Sequence, residues 1–192
     1  GFDWFGQAPA HEALTAYGLM QFVDMKRVYP VEQEVIDRTA KWLLSRRDQK
    51  GGWLRAKRGL HSWDGQSIVA NAYIVWAMTE AGYGEQIRVE LDWAYQHALQ
   101  ADDPYVYSLV LGALENLADP RAPLLRNKLL PAQEVDGSWR GLTHSMTHSR
   151  GQSLQIETSA LSILSLLKGK GFQAGLAKGI QFLAGSKSYH GF

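Results

Sequence analysis

Every second helical segment of this chain is almost without charge. Apolar periodicity predicts eight helices, at roughly 11–23, 31–47, 67–81, 85–100, 104–118, 120–130, 153–168 and 172–184. The third runs Ile68-Val69-Ala70-Asn71-Ala72-Tyr73-Ile74-Val75-Trp76-Ala77-Met78 with no charge, and the fifth has Glu115 as its only one. The seventh carries Ala160-Leu161-Ser162-Ile163-Leu164-Ser165-Leu166-Leu167. A helix that is apolar on every side must be covered on every side. The even-numbered helices have one wet face. The second sets Ile36, Ala40, Leu43 and Leu44 against a charged face with Glu32, Glu34, Asp37, Arg38 and Lys41. The fourth is read as burying Ile87, Leu91, Ala94, Tyr95 and Ala98 and exposing Glu85, Arg88, Glu90 and Asp92. The eighth is read as placing Phe172, Leu176, Ile180 and Leu183 on one face. Inner, outer, inner, outer predicts an all-α fold: an α/α toroid of about four hairpins, each adding one helix to each ring.

A repeat supports this reading. Residues 41–53 end Leu43-Leu44-Ser45-Arg46-Arg47-Asp48-Gln49-Lys50-Gly51-Gly52-Trp53, and residues 127–139 end Leu129-Leu130-Pro131-Ala132-Gln133-Glu134-Val135-Asp136-Gly137-Ser138-Trp139. Phe182 and Phe192 bound a third copy with the same ten-residue spacing. In each, the end of an outer helix is followed by a turn, a glycine and an aromatic residue that can fold back over the hairpin end. All three copies lie on outer-to-inner connections, and so at one end of the predicted toroid. The opening Gly1-Phe2 resembles the tail of an earlier copy, and the last repeat stops at its aromatic. Residues 1–192 are therefore read as a single partial toroid domain, truncated at both ends, which predicts self-association through exposed hairpin edges.

Composition narrows the chemistry. Twenty Lys and Arg against nineteen Asp and Glu give a net charge of +1 over 192 residues, which offers no electrostatic case for nucleic acid. The chain has no cysteine, so it holds no disulfide, no Cys-based zinc site and no thiol nucleophile. Asp102-Asp103-Pro104 is the only acidic pair near an inner helix start, and an N-cap role explains it better than magnesium binding. His144 and His148 are spaced i, i+4 but have no evident third ligand, so neither a metal nor a cofactor site is predicted.

Several stretches carry a resemblance: Trp4-Phe5-Gly6, His11-Glu12-Ala13-Leu14-Thr15-Ala16-Tyr17-Gly18-Leu19, the run from Thr39 to Trp53, Asn71-Ala72-Tyr73-Ile74-Val75-Trp76, Glu157-Thr158-Ser159-Ala160 and Tyr189-His190-Gly191-Phe192. In order and spacing they resemble the thioester-containing domain of the α2-macroglobulin and complement family, most closely its bacterial-type members. The resemblance covers essentially the whole chain. It implies an α6/α6 toroid, shared with terpenoid cyclases, within a secreted or periplasmic endopeptidase inhibitor. Such a protein traps proteases: bait cleavage exposes an internal Cys–Gln thioester that acylates the attacker. The implied partners are proteases, met through the full-length parent, and the parent's other domains. The thioester pair is expected upstream of Gly1, which leaves this chain as scaffold and binding module rather than enzyme.

The resemblance also implies a role for His61, in the outer-to-inner loop 48–66 with Trp53, Trp63 and Asp64. In complement-type relatives a histidine in about this loop attacks the thioester and directs transfer to hydroxyls, as a neutral imidazole can near pH 7. Gly82-Tyr83-Gly84-Glu85-Gln86 looks like a thioester motif with Tyr in place of Cys, but a phenol cannot form the acyl thioester, and a helix-capping turn is expected there. The alternative function is a toroid enzyme, terpenoid cyclase-like or carbohydrate-active. Against it, no Asp-x-Asp-Asp motif and no evident carboxylate pair facing a cavity is present.

Overall fold

A computed structural model describes residues 1–2, 10–54, 68–169 and 174–187. These residues form eight α-helices and no strand: α1 (Glu12–Met25), α2 (Gln33–Ser45), α3 (Ile68–Glu80), α4 (Arg88–Ala101), α5 (Pro104–Asn116), α6 (Ala122–Leu129), α7 (Gly151–Lys168) and α8 (Ala174–Gly185). Short 3-10 turns at Gly84–Ile87 and Leu130–Ala132 precede α4 and follow α6. The fold is all-helical, as the periodicity predicts. The chain forms two compact units, Gly1–His97 and Ala98–Phe192.

In the first unit α1 packs on α2 and on α3; in the second α5 packs on α6 and on α7, and α7 on α8. The charge-poor helices thus pair with one another, as inner neighbours should. Eleven of the thirteen residues of α5 are buried, and nine of the thirteen of α3. Local chemistry sets their ends. His11 Nδ1 accepts the Leu14 amide at 3.3 Å to cap α1. Asp103 accepts the Tyr105 amide at 2.9 Å to cap α5, and Pro104 sits in its first turn, where no amide is needed. Gly82, at φ +83°, ends α3, with its amide on Thr79 and that of Tyr83 on Met78.

The stripe expected for α4 is buried: Ile87, Leu91, Ala94 and Ala98 completely, Tyr95 nearly so. Three expectations fail. On α7, read as covered on every side, Leu164 is 51% exposed and Leu167 55%, because α5 and α8 cover only its other faces. Glu90 is 3% exposed, while its neighbour Val89 lies 63% exposed. On α8 Leu176 is buried but Ile180 is half exposed. The buried position beside it is Gly179, where a Cβ would come within 2.8 Å of the Trp139 ring. Apolar count alone could not foresee that a large side chain is excluded there.

Glu90 gives a test of its own. Among the described residues its Oε2 has no hydrogen-bond partner, and the nearest cation, Arg47 Nη1, stands at 3.9 Å. Burial pushes its carboxyl above the usual range, partly opposed by its own backbone amide and by Arg47. A group whose folded pKa is raised contributes its stabilisation below the unfolded pKa and loses it as pH rises through the folded value. Glu90→Gln is therefore expected to be at least as stable as the wild type at pH 7, with the difference closing towards pH 4. Urea titrations of both proteins at the two pH values check this; a difference that ignores pH would refute it.

Candidate functional site

The repeat is a fastening, and its ten-residue spacing is the separation between donor and acceptor. Trp53 Nε1 donates to the Leu43 carbonyl at 3.0 Å, and Trp139 Nε1 donates to the Leu129 carbonyl at 2.8 Å. Each tryptophan also forms an isolated antiparallel bridge six residues back, to Arg47 and to Gln133. Inside each bridge the Asp48 amide meets the Gly52 carbonyl, and the Glu134 amide that of Ser138. Gly51 and Gly137 occupy the same place in the two turns, at φ +95° and +90°. Phe182 and Phe192 have no indole N–H and cannot make this bond. Phe192 lies outside the described residues.

Each unit then ties the start of one helix to a later segment, by different parts. In the first, Glu12 opens α1 and is 4% exposed. Its Oε1 accepts Nε and Nη2 of Arg46, at the end of α2, both at 2.8 Å. The Trp53 turn follows, with Gly52 so close to Asn71 on α3 that a Cβ would meet the amide nitrogen at 2.8 Å. In the second, Asp103 and Tyr105 open α5. Asp103 Oδ1 accepts the Leu142 amide at 3.2 Å, and the Tyr105 hydroxyl accepts the Met146 amide at 2.9 Å. Tyr105 in turn donates to Glu157 Oε1 at 3.0 Å, and the Thr147 hydroxyl donates to Glu157 Oε2 at 3.1 Å. Glu157 thus ties the loop before α7 to the start of α5, a role its place in the Glu157-Thr158-Ser159-Ala160 stretch gave no sign of.

His61, with Trp63 and Asp64, lies outside the described residues. What is described is where its loop leaves: Trp53 is fastened as above, and the Leu54 amide donates to the Arg46 carbonyl at 2.8 Å. His61 comes eight residues after Trp53 and seven before Ile68, where α3 begins.

The other candidates take structural places. Asp103 is the N-cap; burial raises its carboxyl, opposed by the amides of Tyr105, Leu142 and Thr143. Asp102 turns elsewhere and accepts the Tyr107 hydroxyl at 2.5 Å, so the pair does not converge on a ligand. His144 and His148 lie in a loop rather than on a helix, their rings stacked at 5.1 Å. Among the described residues no three His, Asp or Glu side chains are grouped to hold a metal. Residues 82–86 form the expected cap and turn. Tyr83 donates to Asp37 Oδ1 at 2.6 Å, and burial together with that carboxylate pushes its phenol up to about 12.

The family model for the A-macroglobulin TED domain matches residues 1–192. The chain belongs to this family, whose fold is an α/α toroid. It is a thioester-domain chain of the protease-trap type, and the family is one of protease inhibitors, generally non-enzymatic and generally extracellular. No curated protein matches the chain. Among the described residues no helix is long and apolar enough to cross a membrane.

Proposed function

We propose that this chain is the helical scaffold of the thioester domain of an α2-macroglobulin-like endopeptidase inhibitor, working outside the cell or in a periplasm. The observation that carries the reading is the family match over residues 1–192. Because the chain has no cysteine, the acylating sulfur belongs to residues outside it, and these helices support the covalent step rather than perform it. Two indole-fastened turns and the pairing of buried Glu12 with half-buried Arg46 give the helix ends a fixed form. His61 is the acyl-transfer nucleophile: its neutral nitrogen attacks the thioester carbonyl, thiolate leaves, and a hydroxyl then takes the acyl group from the imidazole. The partners are the attacking protease and the parent's other domains. The isolated chain associates with itself through exposed hairpin edges.

The test uses the full parent. It is expected to become covalently linked to an attacking protease, and methylamine pretreatment is expected to abolish the link by aminolysing the thioester. His61→Ala is expected to shift transfer from hydroxyl to amine acceptors. An unchanged acceptor ratio would remove His61 from the mechanism and leave the trap standing. A parent that forms no link before methylamine treatment would remove the trap. The chain alone is expected to neither inhibit proteases nor form adducts.

A further inference from the structure

The ring centres of His144 and His148 lie 5.1 Å apart, with their planes at 20°. A direct stack is closer: Trp93 and His97 of this same protein stand at 3.7 Å. The wider spacing has a chemical meaning. Two imidazoles on one tetrahedral ion, each nitrogen about 2.0–2.1 Å from the metal, have ring centres about 5 Å apart. The loop also ties the two residues together. One carbonyl, that of Ser145, accepts both His144 Nδ1 and the His148 amide at 3.0 Å. Ser145 is fully buried, and its Oγ accepts the amides of Thr147 and Ser149 at 3.2 and 3.1 Å. A carbonyl can only accept, so His144 Nδ1 carries the proton and Nε2 keeps its lone pair. That is the usual state of a metal-bound histidine, whose other ring nitrogen donates to a carbonyl or carboxylate. The buried Asp103 carboxylate lies close enough to His144 for their charges to interact, which favours a cation here. His144 is half-buried and His148 exposed, so an ion can reach both from solvent.

We propose that His144 and His148 together bind one divalent transition-metal ion, zinc, nickel or copper, which keeps water in its other positions. Imidazole suits these three metals. Rings at 20° do not yet aim both lone pairs at one point, so binding turns the exposed His148 ring about its Cβ–Cγ bond. Among the described residues no third His, Asp or Glu joins the pair, so the bound ion stays open to exchangeable ligands. The loop's other fastenings, Met146 to Tyr105 and Thr147 to Glu157, involve neither imidazole and need not break.

The site depends neither on the thioester nor on self-association, and the test uses the chain itself. Zinc chloride titrated into it near pH 7.5 is expected to show one site per chain by calorimetry. His144→Ala and His148→Ala should each raise Kd at least about tenfold, the loss produced even by removing an outer partner of a metal ligand. His97→Ala should leave Kd unchanged. Its Nδ1 also meets a carbonyl, that of Trp93 at 2.8 Å, but its ring lies against an indole rather than a second imidazole. At pH 5 binding should be lost, because a protonated imidazole has no lone pair to give. In the unsubstituted protein zinc should shift the ring-proton NMR signals of both histidines, a readout that stands even if a substitution unfolds the loop. A shift of only one would refute a shared ion. The absence of a zinc site, or a site that both single variants keep, would overturn the proposal.

Discussion

Replacing Trp139 by alanine is expected to remove about 3–5 kcal/mol of stability, the range for deleting a buried aromatic side chain. Trp139 is fully buried and is fixed from two sides, its indole on Leu129 and its own amide on Ser159. A typical domain has only about 5–15 kcal/mol in total, so this one change approaches the limit of folding. Trp139→Phe separates packing from hydrogen bonding. It keeps most of the apolar surface but leaves the Leu129 carbonyl without its donor, at a cost of about 1–3 kcal/mol. Trp53→Phe should fall in the same range, because Trp53 makes the same bond at 3.0 Å. Urea unfolding of the three variants is the measurement. If Trp139→Ala cost less than about 1 kcal/mol, the repeat would not be a fastening.

Gly137→Ala is expected to cost about 2–5 kcal/mol. Two effects add. At φ +90° an L-residue is strained by about 1–2 kcal/mol. A Cβ there would also lie 2.4 Å from the Lys178 carbonyl oxygen of α8, and backbone cannot step aside as a flexible side chain can, so overpacking adds about 1–3 kcal/mol. Gly82 supplies the control: φ is +83°, but nothing lies within 4 Å of its Cβ. Gly82→Ala should therefore cost only the backbone share. Equal losses at the two glycines in thermal or urea unfolding would show that the approach of α8 does not matter.

The helices and their two kinds were readable because a helix's burial is written in its own periodicity. The absence of charge from 68–78 and from 104–114 requires cover on all sides, and α3 and α5 have it. The repeat was readable for a similar reason, since donor and acceptor lie a fixed ten residues apart on one local turn. The family could also be read, from the order of short stretches along the chain. Glu90 and Ile180 were misplaced because side-chain burial depends on what the neighbouring element offers. Glu90 turns inward beside Arg47, and the close approach of the Trp139 ring gives the buried place on α8 to a glycine.

The sequence alone determined the alternation of charge-poor and amphipathic helices, the indole-bearing repeat and the lack of an acylating sulfur. Each is a property of residues near one another in the chain or of composition, and needs no knowledge of what packs where. The tertiary structure decided the rest. It paired Glu12 with Arg46 across thirty-four residues and Tyr105 with Glu157 across fifty-two. It brought Asp103 to the loop before α7, and it left Leu164 and Leu167 of α7 exposed. These contacts join segments remote in sequence. No local pattern encodes them, because they form only when packing brings helix ends together and removes their polar groups from water.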